Sequence, residues 1–196
     1  MKISASYWMF EGGLEAKLPV VEAMRKAKKL GFDAIELAIG AEGVLTDKAT
    51  QDDCKAIVKE AKAIGIGISG LASGQSWSTS PTANDAAVRK SIIDFTKKAL
   101  QITKWLGTDA YLFVPGAVDV FFNPDGEVVP YDVCYKRAVE AVKKLVSTAE
   151  KVGVWLCIEN VWNKFLLSPL EMRDFIDRFE SKRVGSYFDV GNVLLT

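Results

Sequence analysis

Two carboxylates close two short apolar segments in the later part of the sequence. Glu159 ends the segment 154–159 and Asp189 ends the segment 184–189, and polar or glycine residues follow each of them. Short apolar runs bounded in this way predict buried β-strands. A pair of carboxylates at strand ends can hold a divalent cation or transfer protons, so Glu159 and Asp189 are the first candidates for chemistry.

A helix is predicted between these two strands. Ser168 provides an N-cap, Pro169 stands at the first helical position, and Glu171 lies three residues past the serine. This pattern predicts a helix that ends near Glu180. A strand, helix, strand unit with a right-handed crossover makes its strands parallel, so both carboxylates should lie at one edge of the sheet, within reach of one ion. The alternative is that each carboxylate only caps the following helix.

The same unit recurs along the rest of the chain. A helix end, a glycine and a short apolar run follow one another in the segments 29–37, 63–71, 105–113 and 151–156. Glycine at this position ends a helix in the left-handed conformation, before a tight loop into the next strand. The pattern predicts five helices between strands near 3–7, 33–38, 66–71, 109–114, 154–159 and 184–189.

Two α/β architectures are compatible with this order of strands and helices: a doubly wound open sheet and a (β/α)8 TIM barrel. A nucleotide-binding open sheet would carry a glycine-rich phosphate loop after its first strand, and residues 10–14 match no such spacing. Alternation along the fifth strand points Glu159, Cys157 and Trp155 inward, as in a barrel. We therefore expect a TIM barrel, of which this chain supplies the first six strands.

Composition limits the class of protein further. The chain has 196 residues, of which 49% are hydrophobic and 26% charged, so residues 1–196 are expected to form a single domain. Lysine plus arginine equal aspartate plus glutamate at 25 each, which argues against nucleic-acid and membrane partners. No signal peptide or spanning segment is recognisable, so we expect a cytoplasmic protein. The three separated cysteines are expected to be reduced thiols in the core.

The residues around the two carboxylates resemble a known family. Segments 158–164, 168–172 and 187–192 are similar to the xylose isomerase-like sugar isomerase and epimerase barrels, and above all to hexulose-6-phosphate isomerases and ketose 3-epimerases. The resemblance implies a divalent ion, commonly manganese, magnesium, cobalt or zinc, that is held by four side chains. Glu159 and Asp189 match two of these ligands.

The resemblance also implies the reaction. Such enzymes isomerise or epimerise a ketose or ketose phosphate through an enediolate, with Glu159 as one member of the acid/base pair. The family's other ligands, a histidine after the sixth unit and a glutamate at the eighth strand, have no counterpart, and the sequence contains no histidine. We therefore expect the last two βα units to be missing, and residues 1–196 alone to have little activity and weak metal binding. Unpaired first and sixth strands predict a homo-oligomer or pairing with a separate C-terminal fragment.

Five other residues are candidates for binding the sugar or sugar phosphate. Glu36 ends the second strand and can hold a substrate hydroxyl, or form a salt bridge in the barrel mouth. Trp8 and Trp162 can form an apolar wall over the sugar, or simply pack. Lys164 can contact an anionic group of the substrate, or remain in solvent. Ser73 belongs to a loop rich in hydroxyl and amide groups, which suits a polyol but is also typical of surface loops.

Two alternatives to the enzyme remain open. One is a catalytically inactive barrel fragment or a regulatory sugar-binding module. The other is an apurinic endonuclease-like DNA repair enzyme of the same superfamily, but its multinuclear zinc site needs several histidines and its substrate favours a basic surface. Within the sugar enzymes, Leu166 stands where free-ketose epimerases often carry a glutamate, which favours a phosphorylated substrate.

Overall fold

The computed structural model describes residues 1–120 and 122–194 of the chain. Within these residues, six parallel strands form one sheet, in which each strand pairs with the next along the sequence. The predicted strands are confirmed, and their ends differ from prediction by at most two residues. The strands are β1 (Ser4–Ser6), β2 (Ala34–Ala38), β3 (Gly67–Ala72), β4 (Ala110–Phe113), β5 (Trp155–Glu159) and β6 (Val184–Tyr187).

Long helices connect consecutive strands, as parallel pairing requires. Short helical segments lie in the loops that follow the strands. The helix predicted after Ser168 is present, but it ends at Asp177, before the expected Glu180. The helices are α1 (Val20–Lys29), α2 (Gln51–Ile64), α3 (Gln75–Ser78), α4 (Ala86–Trp105), α5 (Tyr131–Val152), α6 (Pro169–Asp177) and α7 (Val190–Val193), and a 3-10 turn (Tyr7–Met9) follows β1.

Local signals in the sequence set several helix ends. Thr50 and Asp53 form a reciprocal capping box at the start of α2, and the Ser168 hydroxyl accepts a hydrogen bond from the Glu171 amide at the start of α6. Gly153 ends α5 with a φ of 75°, a left-handed conformation that glycine adopts without steric cost. Gly153 thus ends α5 shortly before β5 begins at Trp155.

The sheet is strongly curved. β2 and β6 are four strands apart in the sheet order, so in a flat sheet they would be separated by about 19 Å at the usual strand spacing of about 4.8 Å. The side chains of Glu36 on β2 and Tyr187 on β6 are nevertheless hydrogen-bonded to each other. The six strands therefore follow the wall of a barrel, with these two side chains in its interior.

The main hydrophobic core lies between the outer face of the sheet and the helices. Side chains of the strands, such as Ile35, Leu156 and Ile158, are fully buried there against helical residues such as Ala138 and Leu145. Burial of apolar area against the helices provides the main stabilisation of the barrel wall. Across the described ranges, none of the helices is both long and apolar enough to cross a bilayer.

Candidate active site

The structure brings both candidate carboxylates to the C-terminal edge of the sheet. Glu159 is the last residue of β5 and pairs in register with Tyr187, the last residue of β6. Asp189 follows two residues later, outside the strand, where it is the N-cap of α7. The two acids thus leave neighbouring parallel strands on the same side of the sheet, which is the edge where barrels of this kind place their catalytic groups.

Asn160 joins the two strand ends. Its side-chain amide donates a hydrogen bond to the Asp189 carbonyl, and its side-chain carbonyl accepts one from the Asp189 amide, both at 2.9 Å. Asn192 adds a third contact between the two segments: its side-chain amide donates a hydrogen bond of 2.8 Å to the main-chain carbonyl of Asn160. The main chain beside Glu159 and the main chain of Asp189 are therefore held in a fixed relation.

The Asp189 carboxylate is itself oriented. Its Oδ1 atom accepts a hydrogen bond of 2.8 Å from the main-chain amide of Asn192, which is an ordinary helix-capping contact. The Asn192 side chain in turn accepts a hydrogen bond of 2.5 Å from the indole of Trp162. The alternative, that the acid caps a helix, thus describes one oxygen of Asp189, and none of the described residues donates a hydrogen bond to the other oxygen.

Negative charge accumulates around Glu159. Burial raises the pKa of Glu159 to about 8, with further contributions from the negative charges of Asp189 and then Glu36. None of the salt bridges within residues 1–120 and 122–194 involves these three acids. The site is therefore an uncompensated group of carboxylates that a cation would stabilise.

The donor set suits a hard divalent cation bound in part by other ligands. Magnesium and related ions are commonly held by one or two protein carboxylates, with water and substrate oxygens completing their coordination. Glu159 and Asp189 provide such a pair. In the part of the chain that the structure describes, no three histidine, cysteine, aspartate or glutamate side chains are close enough to hold a metal ion by themselves.

Glu36 lies deeper in the barrel interior. Only 8% of the surface of Glu36 is exposed, and its carboxylate accepts a hydrogen bond from the Tyr187 hydroxyl. Burial raises the pKa of Glu36, and the hydrogen bond from Tyr187 partly offsets this. Glu36 is thus hydrogen-bonded to the phenol of Tyr187, and among the described residues it forms no salt bridge.

Aromatic side chains form one side of the barrel mouth. The rings of Trp77 and Trp162 are stacked with centroids 6.0 Å apart, and Phe122 packs edge-on against Trp77 at 5.2 Å. Trp8 packs with Trp77 on a small buried cluster that Tyr187 also contacts. Of the predicted pair, Trp162 stacks on Trp77, and Trp8 packs on the same cluster as Trp77; we call these three side chains the aromatic wall.

The remaining candidates have partners within the protein. The Ser73 hydroxyl is buried, donates to the Ile39 carbonyl at 2.9 Å and accepts from the Gln75 amide at 3.1 Å. Lys164 forms an ion pair of 2.5 Å with Asp119, and this contact lowers the pKa of Asp119. Both side chains thus fix loops at the C-terminal edge in this structure.

Four residues at the site were not predicted to have a role. Asn160 and Asn192 stood in the segments that carry the family resemblance, but their hydrogen bonds join parts of the chain about thirty residues apart. Tyr187 could have been found from the strand period of two, since it precedes Asp189 by two residues. Trp77 lay within a loop that was noted only for its polar residues.

A family model described as "Xylose isomerase-like TIM barrel" matches residues 24–196 of the chain. Among curated protein sequences there is no significant match. The sequence resemblance to this family is therefore confirmed over most of the chain.

Solved structures with the same fold include several sugar epimerases. A D-psicose 3-epimerase determined in the presence of D-fructose has a TM-score of 0.81 and 23% identity, covering 100% of this chain and 65% of that one. The D-psicose 3-epimerase of Clostridium cellulolyticum H10 with D-tagatose has a TM-score of 0.77 and 20% identity, covering 96% and 63%. An L-ribulose 3-epimerase has a TM-score of 0.76 and 18% identity, covering 99% and 62%. At these identities the similarity establishes the fold, and the chain spans less than two thirds of the length of these structures.

Proposed function

Because the chain belongs to the xylose isomerase-like TIM barrel family, we propose that it is part of a divalent-metal-dependent isomerase or epimerase of a ketose or ketose phosphate. One observation carries this proposal. Glu159 and Asp189 leave neighbouring parallel strands at the same edge of the sheet, and Asn160 binds the main chain of Asp189 through two hydrogen bonds. This arrangement supports the proposal that the two carboxylates act as hard oxygen ligands for one ion at the barrel mouth.

Glu159 and Asp189 would hold the ion, which we expect to be manganese, magnesium, cobalt or zinc. Their fit rests on the chemistry of the donors, two carboxylates without a cationic partner among the described residues. When bound, the ion would polarise the carbonyl and hydroxyl oxygens of the sugar and stabilise negative charge on them.

The chain's own residues provide the remaining functions. Glu159 is proposed to take the proton from the carbon beside the sugar carbonyl, because its carboxylate ends β5 at the mouth of the barrel. Glu36 is proposed to bind a sugar hydroxyl in the interior. The aromatic wall of Trp8, Trp77 and Trp162 supports an apolar contact with the carbon face of the sugar and limits access of water.

The substrate is proposed to be a small sugar. Two of the structures with the same fold are described with D-fructose and D-tagatose. A cavity of about 380 Å³ beside Trp8 and Trp77 is within the size range of small-molecule sites, but Glu36, Glu159 and Asp189 are not among its lining residues, so it supports only a contact at the aromatic wall. Lys164 remains a proposed contact for an anionic group, although it would have to leave Asp119 to make it.

Solvent deuterium exchange tests the proposed reaction. Removing a proton to a side chain and returning it allows exchange with solvent, so a ketose incubated in D2O with manganese should gain deuterium at the carbon that loses its proton. The assay uses the product of the complete reading frame with D-fructose, D-tagatose and their phosphates, followed by NMR. We expect Glu159→Gln to abolish exchange and the matched Glu140→Gln, on the exposed face of α5, to retain it.

Each outcome distinguishes the candidate functions. Exchange that requires both the metal and Glu159 supports the isomerase or epimerase. Binding of a sugar without exchange or product would contradict it and favour a sugar-binding module. Unimpaired product formation by Glu159→Gln would leave an isomerase or epimerase but contradict proton transfer by Glu159.

A further inference from the structure

Tyr187 and Glu36 form a buried polar pair in the barrel interior. The Tyr187 hydroxyl donates to Oε1 of Glu36. A buried carboxylate is costly unless its oxygens accept hydrogen bonds, and two oxygens can accept about four. Within residues 1–120 and 122–194, Tyr187 is the only donor to this carboxylate, and no lysine or arginine pairs with it. Glu36 therefore has unused capacity to accept hydrogen bonds.

The second oxygen of Glu36 is not fully enclosed. In the described part of the chain, the only fully enclosed side-chain oxygen or nitrogen without a hydrogen bond is Oγ1 of Thr96. Oε2 of Glu36 has no partner among the described residues either, and because it is not among the enclosed atoms, part of its surface is accessible. A ligand in the interior can therefore contact it.

The neighbouring strand leaves room for this carboxylate. Gly70 on β3 lies beside Glu36 in register, and a Cβ atom at Gly70 would stand 3.6 Å from Oε1. The Glu36 carboxylate therefore lies against the backbone of β3 while it accepts the hydrogen bond from Tyr187 on β6. The position of Glu36 thus depends on two other strands of the barrel.

The surroundings select the kind of group that can bind. The negative charges of Asp189 and, to a smaller extent, Glu36 help to raise the pKa of Glu159, so the three carboxyl groups belong to one negative region. Such an interior favours hydroxyl donors and cations, and it repels anions. A sugar hydroxyl meets this requirement, whereas a phosphate does not.

We infer that Tyr187 is a positioning residue, which holds Oε1 of Glu36 so that Oε2 accepts a hydrogen bond from a hydroxyl at an uncharged end of the sugar. This inference rests on the proposed function and makes it more specific. The end of the substrate that enters the interior carries hydroxyls, and a phosphate, if the substrate has one, lies at the other end. Tyr187 acts through Glu36 and takes no proton from the sugar.

Sugar binding by matched variants tests this inference. Tyr187→Phe removes only the hydroxyl, and Glu36→Gln retains the shape of the side chain but weakens the acceptor. Calorimetric titration of the full-length polypeptide with D-fructose or D-tagatose, with manganese present, should show binding about tenfold weaker in each variant, the loss expected for one hydrogen bond to a charged group. The double variant should be no weaker than Glu36→Gln alone, because Tyr187 acts through Glu36. Tyr135→Phe, in an aromatic cluster under α6, is the control and should bind normally.

The outcomes separate this inference from the proposed function. If the wild type binds the sugar and either single variant binds within twofold of it, the inference is wrong and the proposed function stands. If the wild type binds neither manganese nor either sugar, the proposed function fails and the inference falls with it. Should Tyr187→Phe fail to fold, Glu36→Gln decides alone, and unchanged affinity overturns the inference.

Discussion

The side-chain amide of Asn160 forms two hydrogen bonds of 2.9 Å with the main chain of Asp189, one as donor and one as acceptor. This pairing crosses from the end of β5 to the segment after β6. It fixes the spacing of two proposed metal ligands that lie thirty residues apart in the sequence. The relation therefore connects the fold directly to the proposed cation site.

Removing this connection should weaken cation binding. Asn160→Ala loses both hydrogen bonds to Asp189, so we expect about tenfold weaker manganese binding and a loss of about 1–3 kcal/mol in the free energy of unfolding. Asn160→Asp keeps the acceptor for the Asp189 amide and should lie between wild type and alanine in stability. Titration with manganese and urea unfolding would measure both effects. Wild-type manganese affinity in Asn160→Ala would contradict the role given to this side chain.

The metal-free chain should lose stability as the pH rises. The pKa of Glu159 in the folded chain is about 8, against an ordinary value of 4.5, because of burial and the charges of Asp189 and Glu36. The folded state therefore binds this proton more tightly than the unfolded state, and the free energy of unfolding falls between about pH 4.5 and pH 8. Glu159 is only partly buried, so we expect a loss on the order of 1–3 kcal/mol.

Urea unfolding at pH 6 and pH 9, with a chelator present, measures this dependence. Glu159→Gln removes the titrating group and should reduce the loss at high pH. Because the pKa of Glu36 is also raised, the stability of Glu159→Gln should still fall as the pH rises, but by less than that of the wild type. An identical pH dependence in wild type and Glu159→Gln would show that Glu159 is not perturbed.

Gly116 is expected to tolerate no side chain beside the loop that holds Thr82. A Cβ atom at Gly116 would lie 2.3 Å from Cγ2 of Thr82. Gly116→Ala should therefore cost about 1–3 kcal/mol through overpacking. Thr82→Ser removes that methyl group but keeps the hydroxyl that bonds with the main chain of Ala117.

A double-mutant cycle in thermal or urea unfolding tests this contact. The variant that combines Gly116→Ala with Thr82→Ser should be more stable than the sum of the single changes predicts. Additive effects would mean that the loop moves to accept the alanine. The contact would then have no structural importance.

The order and type of the elements could be predicted from the sequence because their signals are local. Glycine at Gly153 and the cap at Ser168 mark helix ends through interactions within a few residues, and the strand that ends at Glu159 was correct at its C-terminal end. Asp189 was expected to end a strand, but β6 ends at Tyr187 and Asp189 caps α7. Its side-chain hydrogen bond with Asn192 competes with strand geometry at that position.

The contacts inside the barrel could not be predicted in the same way. The pairing of Tyr187 with Glu36 depends on the curvature of the whole sheet, which no segment of the sequence encodes by itself. The ion pair of Lys164 with Asp119 depends on the meeting of two loops, and Lys164 has a φ of 56°, a conformation that sequence patterns rarely reveal outside glycine. Nonlocal geometry therefore decides which candidate side chains face the site.

The central claim is that Glu159 and Asp189 together bind one divalent ion. Electron paramagnetic resonance of free manganese, titrated into the full-length polypeptide at pH 7.5, measures it most directly. We predict one site whose affinity falls at least tenfold in both Glu159→Gln and Asp189→Asn and is unchanged in Glu140→Gln. Manganese binding that persists unaltered in Glu159→Gln and Asp189→Asn would contradict the account.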